Sequence, residues 1–375
     1  MAVITKIEVF RLKIPLKYPF VISLGTIYHA DNIIVKIHTT DGIFGTGEGC
    51  PYVYIVGETA PSAFANACAM AKLWIGKDAA EIENRVLELQ NAFPFNYTLR
   101  SAFDMALYDL LGKKCQQPLF RLLGGANNRP LMTDMTVGIH SPEEMAAIAL
   151  KFKQEGFAAI KLKLGTTAAQ DVARVRAVRE AIGYDLPLRV DANQGWNLTD
   201  AIAALRQLAS FNIQFCEEPI SRHYRHKLKH IRTQSPIPIM ADESLFDSHD
   251  AFQLAAQSSC DYFNIKLSKS GGIYEALQMV AIADAAGMQS QIGCMSETRL
   301  ALSAFAHVAL ARKNIQFFDL DSVYMLAEDP VLGGIQFHTG GRITVPEAPG
   351  LGAEIAPQRL EACTEKAVVT TSVHT

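Results

Sequence analysis

Apolar and polar side chains alternate with a period of two through "ITKIEVFRLKI" and "NIIVKIHTTDGIFGTGEG". That pattern predicts antiparallel strands, with Asp41-Gly42 as a turn between them. The period then lengthens to that of helices, most clearly in "LRSAFDMALYDLLGKK", before Gly124-Gly125 and Pro130 punctuate the chain. Residues 1–125 therefore read as an α+β unit.

Beyond that point short apolar runs alternate with helical patterns: "TDMTVG", "AAIKLKLG", "LPLRVDAN", "IQFCEEP", "IPIMADES", "DYFNIKLS", "QSQIGCMSE" and "IQFFDLD". Their expected ends are Thr136, Lys163, Asp191, Glu217, Asp242, Lys266, Gly293 and Asp319, spaced by 24 to 28 residues. One strand plus one helix fills such a period, so residues 126–325 predict eight βα repeats. Eight repeats indicate an α/β fold of the TIM-barrel type, with its chemistry at the C-terminal strand ends. A doubly wound open sheet is the alternative, but no Gly-rich phosphate loop supports it. Residues 326–375 carry few repeat features, and we expect them to pack back on the first unit, with "VVTTSVHT" as a loose tail.

Composition narrows the partners. Of 375 residues 49% are hydrophobic and 19% charged, and the formal net charge is −3, so there is no basic excess for nucleic acid. No apolar run suits a signal peptide or a membrane span. Seven scattered cysteines, none in a CxxC pair, point to reduced thiols and a cytoplasmic protein. The oligomeric state stays open, a homo-oligomer included.

The expected strand ends carry an unusual set of charges. Asp191, Glu217 and Asp242 close three consecutive strands. Three carboxylates at one level repel one another unless a cation lies between them, and an all-oxygen set suits Mg²⁺. One such acid could simply cap a helix or pair with a lysine, but three in succession argue for metal. Glu217 is preferred to Glu218, which should point away before Pro219 ends the strand. Lys163 on the second strand and Lys266 on the sixth would face each other across that metal, as two bases serving opposite faces of one carbon. Lys161 shares a face with Lys163, since strand residues two apart point the same way. Its charge is expected to lower the Lys163 pKa. Lys269 reads as an ordinary loop lysine. Asp319 and Asp321 form a D-x-D at the end of the eighth strand, an anionic pocket suited to a free ammonium unless Arg299 or Arg312 neutralises it.

These pieces, with "KLKLG", "RVDANQGW", "CEEP", "MADES", "NIKLSKSGG", "SAFDMALYDLLGKK" and "PGLG", resemble the enolase superfamily and its muconate lactonizing enzyme subgroup over nearly the whole chain. The resemblance implies a modified (β/α)7β barrel whose cap is built from both chain ends, residues 1–125 and 326–375. It also implies Mg²⁺ on Asp191, Glu217 and Asp242, and proton abstraction beside a carboxylate. The mandelate racemase subgroup fits less well, because "QIGCMSETR" lacks the histidine that subgroup uses as its second base. Within the lysine subgroup, lactonization, o-succinylbenzoate synthesis, N-acylamino acid racemization and dipeptide epimerization share this machinery. The D-x-D looks like that of the dipeptide epimerases, because a dipeptide brings a free ammonium. Thr136 and Lys161 join Asp319 and Asp321 as candidate substrate contacts. Gly25, Tyr52, Tyr54, Ile55, Met295 and Glu297 are candidate specificity positions. In epimerases that prefer an acidic second residue an arginine stands near Gly25, so its absence here, beside Tyr52, Tyr54 and Ile55, favours an apolar one. A cationic one stays open through Glu58 or Glu297. A lyase or cycloisomerase, or a non-catalytic binding protein on the same barrel, remains as an alternative class.

Overall fold

The computed structural model describes residues 2–370. Two long strands, β1 (Ile4–Ile22) and β2 (Gly25–Thr39), form a hairpin whose tip is the two-residue turn Ser23-Leu24, and β3 (Phe44–Gly49) pairs with β2. Helices α1 (Val53–Val56), α2 (Ala60–Trp74), α3 (Ile82–Ala92) and α4 (Tyr97–Lys114) follow. The glycines of "GTGEG" on β3 explain how close α4 lies. A methyl group at Gly47 would fall 2.0 Å from the Ala102 carbonyl oxygen of that helix.

After β4 (Leu131–Met132) come eight parallel strands: β5 (Met135–Val137), β6 (Ile160–Lys163), β7 (Leu188–Asp191), β8 (Ile213–Glu217), β9 (Ile239–Ala241), β10 (Tyr262–Ile265), β11 (Gln289–Gly293) and β12 (Ile315–Asp319). They pair in chain order, and the expected strand ends stand within one residue of the observed ones. The ring nearly closes, with Asp134 N donating to the Phe318 carbonyl (3.1 Å) and Leu320 N to Thr133 Oγ1 (2.8 Å). A helix follows each of the first seven strands but not β12 in the same return position, which gives the (β/α)7β pattern. Local chemistry starts these helices. Ser141 and Glu144 form a reciprocal capping box with Pro142 at the first turn, and Thr167, Asn197 and Asp247 cap others. Ile160, Leu162 and Leu164 are fully buried against the helices, while Lys161 and Lys163 point into the barrel.

The last stretch divides. Strands β13 (Val331–Gly333), β14 (Gln336–Phe337), β15 (Arg342–Thr344) and β16 (Ala353–Ile355) pair with one another or with β4. Strand β17 (Lys366–Thr370) pairs antiparallel with β1 and widens the N-terminal sheet. Val368, Val369 and Thr370, expected in a loose tail, are therefore strand; residues 371–375 of that tail lie outside the described residues. Among the described residues, no helix is long and apolar enough to cross a membrane.

Candidate active site

Parallel register builds the floor of the site. Lys163 stands opposite Asp191, and Asp191 opposite Glu217, so β6, β7 and β8 present these side chains in one row. Asp242 follows β9 directly and Lys266 follows β10. Carboxylate oxygens of Asp191, Glu217 and Asp242 all lie within 4.8 Å of one another, and none of the three residues is exposed. Across five neighbouring strands the order is thus lysine, acid, acid, acid, lysine. Lys163 Nζ lies 2.6 Å from Asp191 and Lys266 Nζ 2.8 Å from Asp242, one at each end of the acid row.

The electrostatics are those of a cation site. Burial, then the charges of Asp191 and Asp242, push the Glu217 carboxyl up to about 8, although Lys161 and Lys266 offset part of this. Burial works on Asp242 as well, but Lys266 and Lys269 outweigh it and hold Asp242 far below the usual range. Burial lowers Lys266, yet Asp242 and Glu217 more than compensate and leave its pKa raised. Three hard oxygen donors from three buried carboxylates converge on one point, so the donor set fits Mg²⁺.

The Lys161 ammonium pairs with Asp319 and lies 3.5 Å from Glu217 and 3.9 Å from Asp191. Burial lowers its pKa, but these carboxylates outweigh burial and raise it. Lys161 is therefore a fixed cation between the acid row and the D-x-D. Neither arginine that could have neutralised the D-x-D reaches it: Arg299 pairs with Asp329, and Arg312 donates to the Leu123 carbonyl. Asp321 accepts from Thr136 N (2.8 Å) and lies with Asp319 beside Cys294. Burial and the Asp319 charge push Asp321 up to about 6.

The candidate specificity positions fall into two groups. Gly25 opens β2, with Tyr54 packed against it, and Tyr54 meets Tyr52 edge-on with ring centroids 5.7 Å apart. Tyr54 is exposed, Ile55 is buried, and the Tyr52 hydroxyl is buried without a partner. Met295 and Glu297 lie in the loop after β11, where Met295 N donates to the Glu297 carboxylate at 2.5 Å. Glu297 is buried and shapes its own loop, and Glu58 accepts from Thr98 N (3.1 Å) at the start of α4. Each of these acids has one oxygen on a backbone N–H, while Glu58 Oε2 and Glu297 Oε1 are buried without a partner.

Three contributors escaped the sequence reading. Lys269 is no ordinary loop lysine: it is fully buried, 2.8 Å from Asp242, and donates to the Leu245 and Asn264 carbonyls. Asn264 donates to Glu217 at 2.6 Å, and the Gln291 amide lies 3.5 Å from the same carboxylate. The signal for Asn264 was the strand period, since it stands two residues before Lys266 and so shares its face.

Residues 4–124 match the "Mandelate racemase / muconate lactonizing enzyme, N-terminal domain" family and residues 144–359 the "Enolase C-terminal domain-like" family. The chain belongs to the mandelate racemase / muconate lactonizing enzyme family. Among members of this family it is 45% identical to the D-Ala-D/L-Ala epimerase of Cytophaga hutchinsonii, over 94% of this chain and 95% of that protein. It is 42% identical to the hydrophobic dipeptide epimerase of Enterococcus faecalis, over 93% and 99%. A crystal structure of the dipeptide epimerase from Cytophaga hutchinsonii, complexed with Mg and D-Ala-L-Val, superposes with a TM-score of 0.97 at 43% identity, covering 98% of this chain and 100% of that one.

Proposed function

We propose that this chain is a Mg²⁺-dependent dipeptide epimerase, an isomerase that inverts the α-carbon of the second residue of dipeptides such as Ala-Xaa with an apolar Xaa. The observation that carries the reading is the lysine–acid–acid–acid–lysine row, with Lys163 and Lys266 at its two ends. Asp191, Glu217 and Asp242 would hold the metal, which when bound stabilises negative charge on the substrate carboxylate. One lysine removes the α-proton from one face, and the other returns a proton on the opposite face. Asp321, with Thr136 beside it, receives the substrate ammonium, and Lys161 keeps Asp319 and the acid row in place.

Residues 1–125 and the C-terminal strand supply the cap in this reading, and the barrel supplies the chemistry. Side-chain selection falls to Gly25, Tyr52, Tyr54 and Ile55, with Met295 on the opposite rim. Gly25 offers no positive charge to an acidic side chain. Burying a Val- or Leu-sized group is worth about 1.5–3 kcal/mol, or roughly 10- to 150-fold in kcat/KM. The names of the Cytophaga and Enterococcus relatives support an apolar dipeptide. All seven cysteines are free, which supports a cytoplasmic setting. The test is kcat/KM for Ala-Leu, Ala-Val, Ala-Glu, Ala-Lys and N-acetyl-Leu. We expect the two apolar dipeptides to lead and N-acetyl-Leu to fail. Preference for Ala-Glu or Ala-Lys would refute the pocket assignment, and preference for N-acetyl-Leu would refute the dipeptide reading.

A further inference from the structure

The selecting segment has firm ends and a weakly held middle. Cys50 N donates to Ser268 Oγ (3.2 Å) and Glu58 holds Thr98 N (3.1 Å), so both ends are anchored. Between them Tyr52, which precedes α1, and Ile55 within it stand at the mouth of the barrel. The helix is only 4 residues long and ends at Gly57 in the left-handed conformation (φ 74°), so it has little stability of its own. A groove of about 410 Å³ runs between α1 and the barrel loops, lined among others by Val56, Glu243 and Phe246.

One side chain crosses that groove. Arg222, in the loop after β8, donates from Nη1 to the Ile55 carbonyl at 2.7 Å. Among the described residues this is the one hydrogen bond between α1 and a barrel side chain. The acceptor is a carbonyl of the last turn, which has no partner within the helix and favours a cation. Arg222 is itself fixed. Its backbone N–H donates to Gln194 Oε1 (3.0 Å) in the loop after β7, and its guanidinium lies 5.3 Å from the Phe246 ring centroid in the loop after β9. The three barrel loops that meet at Arg222 are those that follow Asp191, Glu217 and Asp242.

We propose that Arg222 is a positioning residue that clamps α1 onto the barrel and so holds the substrate-selecting wall closed. It acts through the Ile55 carbonyl and touches neither substrate nor metal. This rests on the reading that residues 52–56 meet the substrate side chain. On the opposite flank Tyr54 packs against Gly25, where an added methyl would lie 3.1 Å from Tyr54 Cε2. The helix is thus gripped from the hairpin tip on one side and from Arg222 on the other.

The test compares wild type, Arg222→Met and Arg222→Lys by amide hydrogen exchange without substrate and by steady-state kinetics with Ala-Leu and Ala-Glu. In Arg222→Met, exchange in residues 52–57 should quicken about tenfold or more, as loss of a charged hydrogen bond releases a local opening. The KM for Ala-Leu should rise with kcat little changed, the Ala-Leu over Ala-Glu preference should narrow, and Arg222→Lys should restore part of each. Unchanged exchange in residues 52–57 overturns the clamp. Faster exchange with unaltered KM for both dipeptides overturns the substrate-holding role given to it. Ile55→Ala separates this from the selectivity reading: if it leaves selectivity unaltered while Arg222→Met raises exchange, the pocket assignment fails and the clamp on α1 stands.

Discussion

Lys161 and Lys163 stand two positions apart on β6, and both ammonium groups are held inside the barrel by carboxylates. Strand periodicity was enough to place them on one face, but not to say which acid each would meet. That depends on the registers of β7, β8 and β12, elements far away in the chain. The same limit hid Lys269, whose partners arrive only when the short helix after β10 folds under Asp242. At this scale the proposed ammonium pocket is directly testable. Asp321→Asn removes the charge proposed to receive the substrate ammonium while keeping the shape of the side chain. We expect kcat/KM for Ala-Leu to fall about 10- to 100-fold, with thermal melting nearly unchanged, because a charge-assisted hydrogen bond is worth about 1.5–3 kcal/mol. Full activity with Ala-Leu in that variant would move the ammonium site elsewhere.

Buried acids from the cap fix the helices of the barrel. Glu48 on β3 is fully buried and accepts from Thr298 N (2.9 Å), Thr298 Oγ1 (2.7 Å) and Ala301 N (3.0 Å), at the start of the helix Arg299–Ala311. The helix N-terminus favours this negative charge. The loop that carries Met295 and Glu297 immediately precedes that helix, so the cap sets one rim of the site. Glu48→Ala should cost about 2–3 kcal/mol by chemical denaturation, as the N–H groups lose their buried acceptor. Glu48→Gln should recover part of that loss, and equal stability of all three proteins would contradict the capping role. The strand pattern of "GTGEG" was legible in the sequence, and so were the eight barrel strands. The link from Glu48 to a helix 250 residues away was not, because alternation reports which face is buried and not what covers it. The C-terminal strand was missed for a related reason: β17 is short and gains its order from pairing with β1.

Cap, barrel and C-terminal segment meet around His307. Its Nδ1 accepts from Phe120 N (3.2 Å), its other ring nitrogen faces the Leu351 carbonyl (3.3 Å), and the ring stacks on Phe120. Burial depresses its pKa from 6.5 to about 4, and the Leu351 carbonyl offsets only part of this. The unfolded chain therefore takes up a proton near pH 6.5 that the folded chain refuses until about pH 4. This contribution to stability is complete above pH 6.5 and is lost as pH falls toward 4. The stability difference between wild type and His307→Gln should shift against the wild type by on the order of 3 kcal/mol between pH 7 and pH 4, read from urea melts. A pH-independent difference would refute the assignment of a neutral buried imidazole. Metal dependence is a second property of the whole molecule. Dialysis against a chelator should abolish turnover and lower the melting temperature, and Mg²⁺ should restore both, adding about 2.7 kcal/mol at 100 times its Kd. In Asp191→Asn neither should return. The central claim is that Lys163 and Lys266 serve opposite faces of one α-carbon, and the direct measurement is deuterium exchange at that carbon in D₂O for Lys163→Ala and Lys266→Ala. Each variant should lose epimerization yet still exchange the α-proton of one stereoisomer of Ala-Leu, a different stereoisomer in each. Loss of exchange for both stereoisomers in both variants, with Mg²⁺ still bound, would contradict it.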